Sequence, residues 1–187
     1  MDIIPQTSFR YTMLGKITKK DYYKTEDGTQ ISKEKGSGSI EISDDNVIKI
    51  YDAKKVSIYG NKEDKKIIVS ESQVDRIMTN SGKNQVYLAH CTFKPRSLFS
   101  SSQIITGQNG ILNNKDNSDV IRIDGDFEGL ISAQQGSGSA YGDDKSAHKD
   151  TIIINGDNKG RIEIDTHDKV QVKGEKGQIA NTSVIMM

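Results

Sequence analysis

The chain has 187 residues, enough for one domain with its own core, yet only 33% of them are hydrophobic and none is tryptophan. Lysine plus arginine and aspartate plus glutamate number 26 each, so the formal net charge is zero. This balance argues against nucleic acid as the main partner, because a basic footprint is missing. The single cysteine, Cys91, excludes an intramolecular disulfide.

The N-terminus lacks the basic start and the roughly 7–15-residue apolar core of a conventional signal peptide. No run approaches the roughly 18 apolar residues of a membrane helix. We therefore expect a soluble protein without a transmembrane segment, either cytoplasmic or secreted without a cleaved hydrophobic signal peptide.

Residues 1–35 differ from the rest of the chain, with Phe9, Tyr11, Tyr22 and Tyr23 among mixed charges and little strand alternation. We interpret them as an N-terminal cap or extended segment. Short runs with alternating apolar residues begin at residue 39, and Gly, Asn and Asp separate them, so residues 36–187 are predicted to form one β domain. The predicted strands include 47–51, 56–59, 67–69, 74–78, 86–88, 162–164 and 170–172.

Two segments 31 residues apart resemble each other. DVIRIDGDFEGLIS (119–132) and DTIIINGDNKGRIE (150–163) match at seven of fourteen positions. The pairs Ile121/Ile152, Ile123/Ile154 and Ile131/Ile162 are predicted to stack in inward columns. Asp119/Asp150 and Asp126/Asp157 also match. Gly125/Gly156 and Gly129/Gly160 are expected where the chain bends with positive φ, and Asp124 and Asn155 to close the same turn.

Short strands with period 2 and no sustained helical periodicity predict an all-β fold with little helix. A parallel β-helix (β-solenoid) predicts similar sequence units at a fixed period, whereas a β-sandwich gives no reason for one sequence unit to copy another. The copy favours a single-domain parallel β-helix, with the β-sandwich as the alternative. Open solenoid ends also make a homodimer through those ends possible.

The segment KDTIIINGDNKGRIEIDTHDKVQV (149–172) resembles the strand–turn repeats of large bacterial adhesins and haemolysin-type secreted proteins. The resemblance covers residues 119–172. It implies a β-solenoid and a secreted, surface or virulence-associated bacterial setting, and it supplies no catalytic residue.

Calcium is the first candidate ligand, because turn carboxylates provide the oxygens that Ca²⁺ prefers. The candidates are Asp124, Asp126 and Asp157, with Glu128 and the pair at 143–144 nearby. Ordinary turn formation by Asp is the competing interpretation.

Cysteine chemistry is the second candidate, since a thiol beside cations becomes a nucleophile. Cys91 follows His90, and His148 would have to fold back to act as its base. Adjacent residues on a strand point to opposite faces, so His90 is not the base if this segment is a strand. A buried or incidental cysteine is the alternative.

Carbohydrate chemistry is the third candidate, with Lys49, Arg122, Asp126 and Arg161 near an exposed sheet. We weigh two functions from these features. The first is a non-enzymatic binding scaffold that engages a protein or glycan partner through a solenoid face, without a required cofactor. The alternative is an enzyme, either a Cys91-dependent effector or a small carbohydrate-active β-helix protein.

Overall fold

The structure is a computed structural model that describes residues 6–11, 17–43, 46–61, 63–79, 82–95, 101–106, 118–133, 149–164 and 168–181. These residues form strands and turns and contain no helix, so they include no helix long and apolar enough to span a bilayer. The all-β prediction is confirmed for this part of the chain.

Seventeen strands are present in the described residues. In chain order they are β1 (Gln6–Tyr11), β2 (Ile17–Lys24), β3 (Gln30–Glu34), β4 (Ser39–Ile42), β5 (Val47–Tyr51), β6 (Val56–Tyr59), β7 (Lys66–Ser70), β8 (Gln73–Met78), β9 (Gln85–Ala89), β10 (Thr92–Phe93), β11 (Gln103–Ile105), β12 (Val120–Asp124), β13 (Leu130–Ser132), β14 (Thr151–Ile154), β15 (Arg161–Ile164), β16 (Lys169–Val172) and β17 (Gln178–Asn181).

The strands form two mixed sheets. Sheet A has the order β1-β2-β3-β6-β8-β11-β13-β15-β17, with β10 paired to β8, and sheet B has the order β16-β14-β12-β9-β7-β5-β4. In sheet A the pairs from β6 to β17 are parallel, and β1, β2 and β3 extend the sheet with antiparallel pairs. In sheet B every pair from β5 to β16 is parallel and only β4 pairs antiparallel. From β5 onward the chain alternates between the sheets, except that β10 and β11 both belong to sheet A.

The two copied segments are neighbours in both sheets. Strand β12 pairs with β14 so that Ile121 faces Ile152 and Ile123 faces Ile154, and β13 pairs with β15 so that Ile131 faces Ile162. All six side chains are buried. The predicted inward columns are therefore confirmed, in register and in burial.

The spacing between paired residues is not fixed at 31, which corrects the expectation of one period. Ile48, Ile67 and Val86 pair at intervals of 19 residues, Ile121 and Ile152 at 31, and Ile152 and Val170 at 18. Pairing depends on the strands alone, so the turns between them vary in length without disturbing the register.

One hydrophobic core draws on the inward side chains of both sheets. Each fully buried Ile or Val contributes roughly 1.5–3 kcal/mol through the apolar surface removed from water. The columns of small aliphatic residues explain how a chain that is one-third hydrophobic builds a core. Their members are Ile31, Ile58, Ile77, Ile104, Ile131 and Ile162 in sheet A, and Ile48, Ile67, Val86, Ile121, Ile152, Ile50, Val69, Leu88, Ile123 and Ile154 in sheet B.

The matched glycines serve two different purposes. Gly125 and Gly129 have φ values of 133° and 129°, as predicted for a bend. Gly156 and Gly160 have no positive φ, which corrects the prediction for them. A Cβ on Gly156 would lie 2.5 Å from the Gly125 carbonyl oxygen, so this glycine is required by close stacking of adjacent turns.

Residues 1–35 contain three strands that alternation did not predict. Strand β3 has the sequence QISKE and pairs with β6, so that Ile31 faces Ile58 and continues the sheet A column. Ser32 and Lys33 of the same strand are also buried. The alternation is absent because polar residues are buried on both sides of the strand.

Candidate functional site

Sheet B presents a regular outward surface, which we call the B face: the outward side chains of β4, β5, β7, β9, β12, β14 and β16. Alternation sets its membership, because the inward residue of each pair is buried and its neighbour points away. Parallel pairing then aligns Lys49, Ile68, Tyr87, Arg122 and Ile153 in one outward row.

Apolar side chains lie among polar ones on the B face. Ile68, Tyr87 and Ile153 are half-buried, while Tyr51, at the end of β5, is 57% exposed. The ammonium of Lys66 lies 5.7 Å from the centre of the Tyr87 ring, within cation–π range. The B face therefore mixes apolar and polar side chains, as protein contact surfaces do.

The charges of the B face are mostly basic. Lys49 pairs with Glu41 at 3.1 Å, and Arg122 Nε lies 3.3 Å from Asp124 Oδ1. Lys66 and Lys169 are exposed and form no ion pair with a described carboxylate. Two cations of the B face, Lys66 and Lys169, therefore have no carboxylate partner among the described residues.

Sheet A differs from sheet B on its outward side. Ser32 and Ser57 are buried there, and the outward side chains of β8, β11, β13 and β15 are half-buried, although Tyr59 on β6 is 38% exposed. The B face is thus the more accessible of the two sheet surfaces.

A column of buried polar residues runs along the starts of the sheet B strands. Oδ1 of Asp119 accepts from the backbone N–H of Asn84 at 2.7 Å, and Oδ1 of Asp150 accepts from the backbone N–H of Asp119 at 2.7 Å. Oδ1 of Asp168 accepts from the backbone N–H of Asp150 at 2.9 Å. Each carboxylate thus satisfies a backbone donor one strand away.

The pKa of Asp150 is raised to about 8. Burial is the largest cause, the nearby Asp119 and Asp168 carboxylates also raise the pKa, and the hydrogen bonds from the Asp119 backbone and from Thr106 act against this rise. Thr106 Oγ1 donates to its Oδ2 at 3.3 Å. Asp150 therefore holds a proton at neutral pH.

A buried ion pair lies next to this column, where Lys65 directly precedes β7. The side chain of Lys65 is 1% exposed, and its Nζ contacts Asp27 Oδ2 and donates to Asn61 Oδ1 at 2.6 Å. Burial alone would raise the pKa of Asp27, but hydrogen bonds from Lys65, Thr25 and the Thr29 backbone lower it to about 2. These groups border a small cavity lined by Thr25, Asp27, Thr29, Ile42, Asn46, Ile48 and Lys65.

The cysteine candidate lies in a turn, beside Ala89 at the end of β9. Cys91 is half-buried and its Sγ donates to the Val69 carbonyl at 3.3 Å. Burial raises the pKa of its thiol, which disfavours the nucleophilic thiolate. His90 is exposed and has a φ of 52°. Both His90 and Cys91 lie between β9 and β10, so neither residue is in a strand. His148 lies outside the described residues.

The calcium candidates have other contacts. Asp126 Oδ1 accepts from the backbone N–H of Asp157 at 2.9 Å, and its Oδ2 pairs with Lys159 at 2.5 Å. Asp124 Oδ1 accepts from the side-chain amide of Asn155, so the two side chains bond to each other across neighbouring turns, whereas side-chain bonds to backbone N–H groups within the turn were predicted. Within the described ranges no three acidic, His or Cys side chains are placed to hold a metal. A calcium role stays a prediction.

The carbohydrate candidates are separated by the fold. Lys49 and Arg122 share the B face, Asp126 lies in the turn after β12, and Arg161 lies on sheet A. Pairing of copies through the terminal strands β16 and β17, where Ile179 is 40% exposed, also stays a prediction.

Sequence reasoning missed two sets of residues. Ile153 was assigned no role, although in the run TIII the middle isoleucine must face outward if its neighbours face inward. The matched pair Asp119/Asp150 was noticed but was given no function. Comparisons of the chain with protein-family models, curated proteins and solved structures find no match.

Proposed function

We propose that this protein is a parallel β-solenoid that acts as a non-enzymatic binding scaffold and engages its partner through the B face. In this proposal each turn of the coil is a rung with one strand in each sheet, and β1 to β4 cap the N-terminal end. The alternation of the chain between two parallel stacks supports the coil, because a β-sandwich is built from antiparallel strands.

The observation that carries the binding role is the outward row of Lys49, Ile68, Tyr87, Arg122 and Ile153 on a regular sheet, in which the two cations are exposed and the other three side chains are half-buried. Repeat proteins use such extended surfaces to bind, and each rung adds one contact. The raised pKa of Cys91 favours this role over a thiol-dependent enzyme. The exported setting implied by the resemblance to bacterial adhesins stays a prediction.

The coil is tested by nitroxide distances in a Cys91→Ser background. Strand spacing of about 4.8 Å places labels at Lys49→Cys and Ile153→Cys roughly 19 Å apart, four strands along, and labels at Lys49→Cys and Gln171→Cys roughly 24 Å apart. A second distance that is not longer than the first would contradict the stacked order.

The binding role is tested by photo-crosslinking with a benzophenone amino acid at Tyr87 in cells of the native host. We expect one dominant adduct that is lost when Ile153→Asp is added on the same face. The matched control places the crosslinker at Tyr59 on sheet A. Equal adducts from both positions, or persistence with Ile153→Asp, would contradict a binding role for the B face.

A further inference from the structure

We infer that the partner of the B face is an acidic protein segment in an extended conformation, which lies across the strands and presents carboxylates to Lys66 and Lys169. This inference rests on the proposed function of the B face and adds the chemistry of its partner. It follows from the sign, the spacing and the apolar neighbours of the charges on that face.

The B face has an excess of positive charge, because two of its cations have no carboxylate partner in the described part of the chain. Across β5 to β16 the B face has four cations, Lys49, Lys66, Arg122 and Lys169, and the only outward carboxylate is Asp124. Glu41, on the edge strand β4, compensates Lys49, and Asp124 compensates Arg122. The excess is local, because the whole chain has no net charge. Complementary charge across an interface favours an acidic partner.

The spacing of the two uncompensated lysines defines the length of the segment. Lys66 and Lys169 begin β7 and β16 and share one outward column, four strands apart, which is about 19 Å at about 4.8 Å per strand. An extended peptide advances about 3.3 Å per residue, so about six residues connect them. Gln85, Val120 and Thr151 lie between the lysines in that column.

The apolar neighbours favour a protein over an anionic polysaccharide. Ile68, Val120 and Ile153 present branched aliphatic surface, which packs against aliphatic side chains. Sugar rings stack on aromatic side chains, but the Tyr87 ring already has the Lys66 ammonium over it, and Tyr51 lies at the end of β5, outside the column of the two lysines. Two excess lysines are also too few for the phosphate contacts on which nucleic-acid binding depends. The favoured segment therefore alternates acidic and aliphatic residues.

The test measures fluorescence anisotropy of a labelled twelve-residue peptide that alternates glutamate and leucine, at low and at physiological salt. We expect saturable binding that weakens as salt rises, and at least tenfold weaker binding of a matched peptide with glutamine in place of glutamate. Unlabelled heparin serves as the polysaccharide competitor.

The protein variants locate the site. We expect Lys66→Glu with Lys169→Glu to weaken peptide binding at least tenfold, and Lys66→Arg with Lys169→Arg to retain it. The control Lys54→Glu with Lys176→Glu changes two exposed lysines in turns off the B face and should alter binding less than twofold. Circular dichroism and melting temperature confirm that each variant is folded.

Several outcomes would overturn the inference: no peptide binding, equal binding of the glutamine peptide, equal loss in the turn control, or tighter binding of heparin. If an adduct at Tyr87 still forms and depends on Ile153, the proposed function holds and only the acidic partner is wrong. If the adduct also fails, both are wrong.

Discussion

The backbone N–H of Asp119 donates to Oδ1 of Asp150 at 2.7 Å, across 31 residues of sequence. The same residues are a matched pair in the two similar segments. Their match therefore marks a link between neighbouring strands. Asp150 is 4% exposed and lies beside two other carboxylates, so its protonation state matters for stability.

The stability of the protein should fall as the pH rises from about 4 to about 8. The pKa of Asp150 rises from 3.8 to about 8 on folding, so the folded state holds a proton that the unfolded state releases in this interval. The stabilisation is complete below pH 4 and lost above pH 8, with roughly 6 kcal/mol as an upper bound for the change. Urea unfolding at pH 4.5, 6, 7.5 and 9 measures it.

The control for this pH effect is Asp150→Asn, which keeps an oxygen acceptor for the Asp119 N–H and cannot ionise. Its free energy of unfolding should exceed that of the wild type at pH 9 and vary less between pH 4.5 and pH 9. Identical pH profiles for the two proteins would show that Asp150 is not the titrating group.

The Lys65–Asp27 pair should produce an opposite dependence at lower pH. The pKa of Asp27 falls from 3.8 to about 2 on folding, so its stabilisation is present above pH 4 and is lost as the pH falls through 2. For this partly buried carboxyl we expect about 1–2 kcal/mol. Lys65→Met should return the Asp27 pKa, measured by NMR titration, toward or above its usual value, whereas Lys49→Met at the exposed Lys49–Glu41 pair should not move it.

Adjacent isoleucines should respond in opposite ways to the same substitution. Ile152 is fully buried, so Ile152→Asp places an unpaired charge in the core and should destabilise the fold by more than about 3 kcal/mol. Ile153 points outward, and Ile153→Asp should change stability by less than about 1 kcal/mol. Thermal melts of both variants measure the difference, and equal losses would show that the inward register is wrong.

Cys91 should react slowly with alkylating reagents at neutral pH. Burial raises the pKa of its thiol, so the thiolate forms only at alkaline pH. The rate of iodoacetamide labelling should still rise beyond pH 9 in the folded protein and reach the rate of an unperturbed thiol in denaturant. A labelling midpoint below pH 8 would favour the thiol-dependent enzyme instead.

The sequence predicted individual strands well because their alternation reflects burial directly. The predicted strands 47–51 and 56–59 coincide with β5 and β6, and the runs 67–69, 74–78, 86–88, 162–164 and 170–172 lie within observed strands. Strand β3 was missed because Ser32 and Lys33 are buried together with Ile31, so hydrophobicity does not alternate along it.

The matching residues by themselves determined which isoleucines face inward, because a side chain buried on one strand needs an equivalent on the next. Only the tertiary structure decided the interval between paired residues, since hydrogen bonding aligns strands and leaves the turn lengths free. It also decided the state of Asp150, because a carboxyl holds a proton at neutral pH only where burial and neighbouring carboxylates from separate strands meet. The B face arises in the same way: Lys66 and Lys169 are 103 residues apart in sequence and share one column through the pairing of five strands.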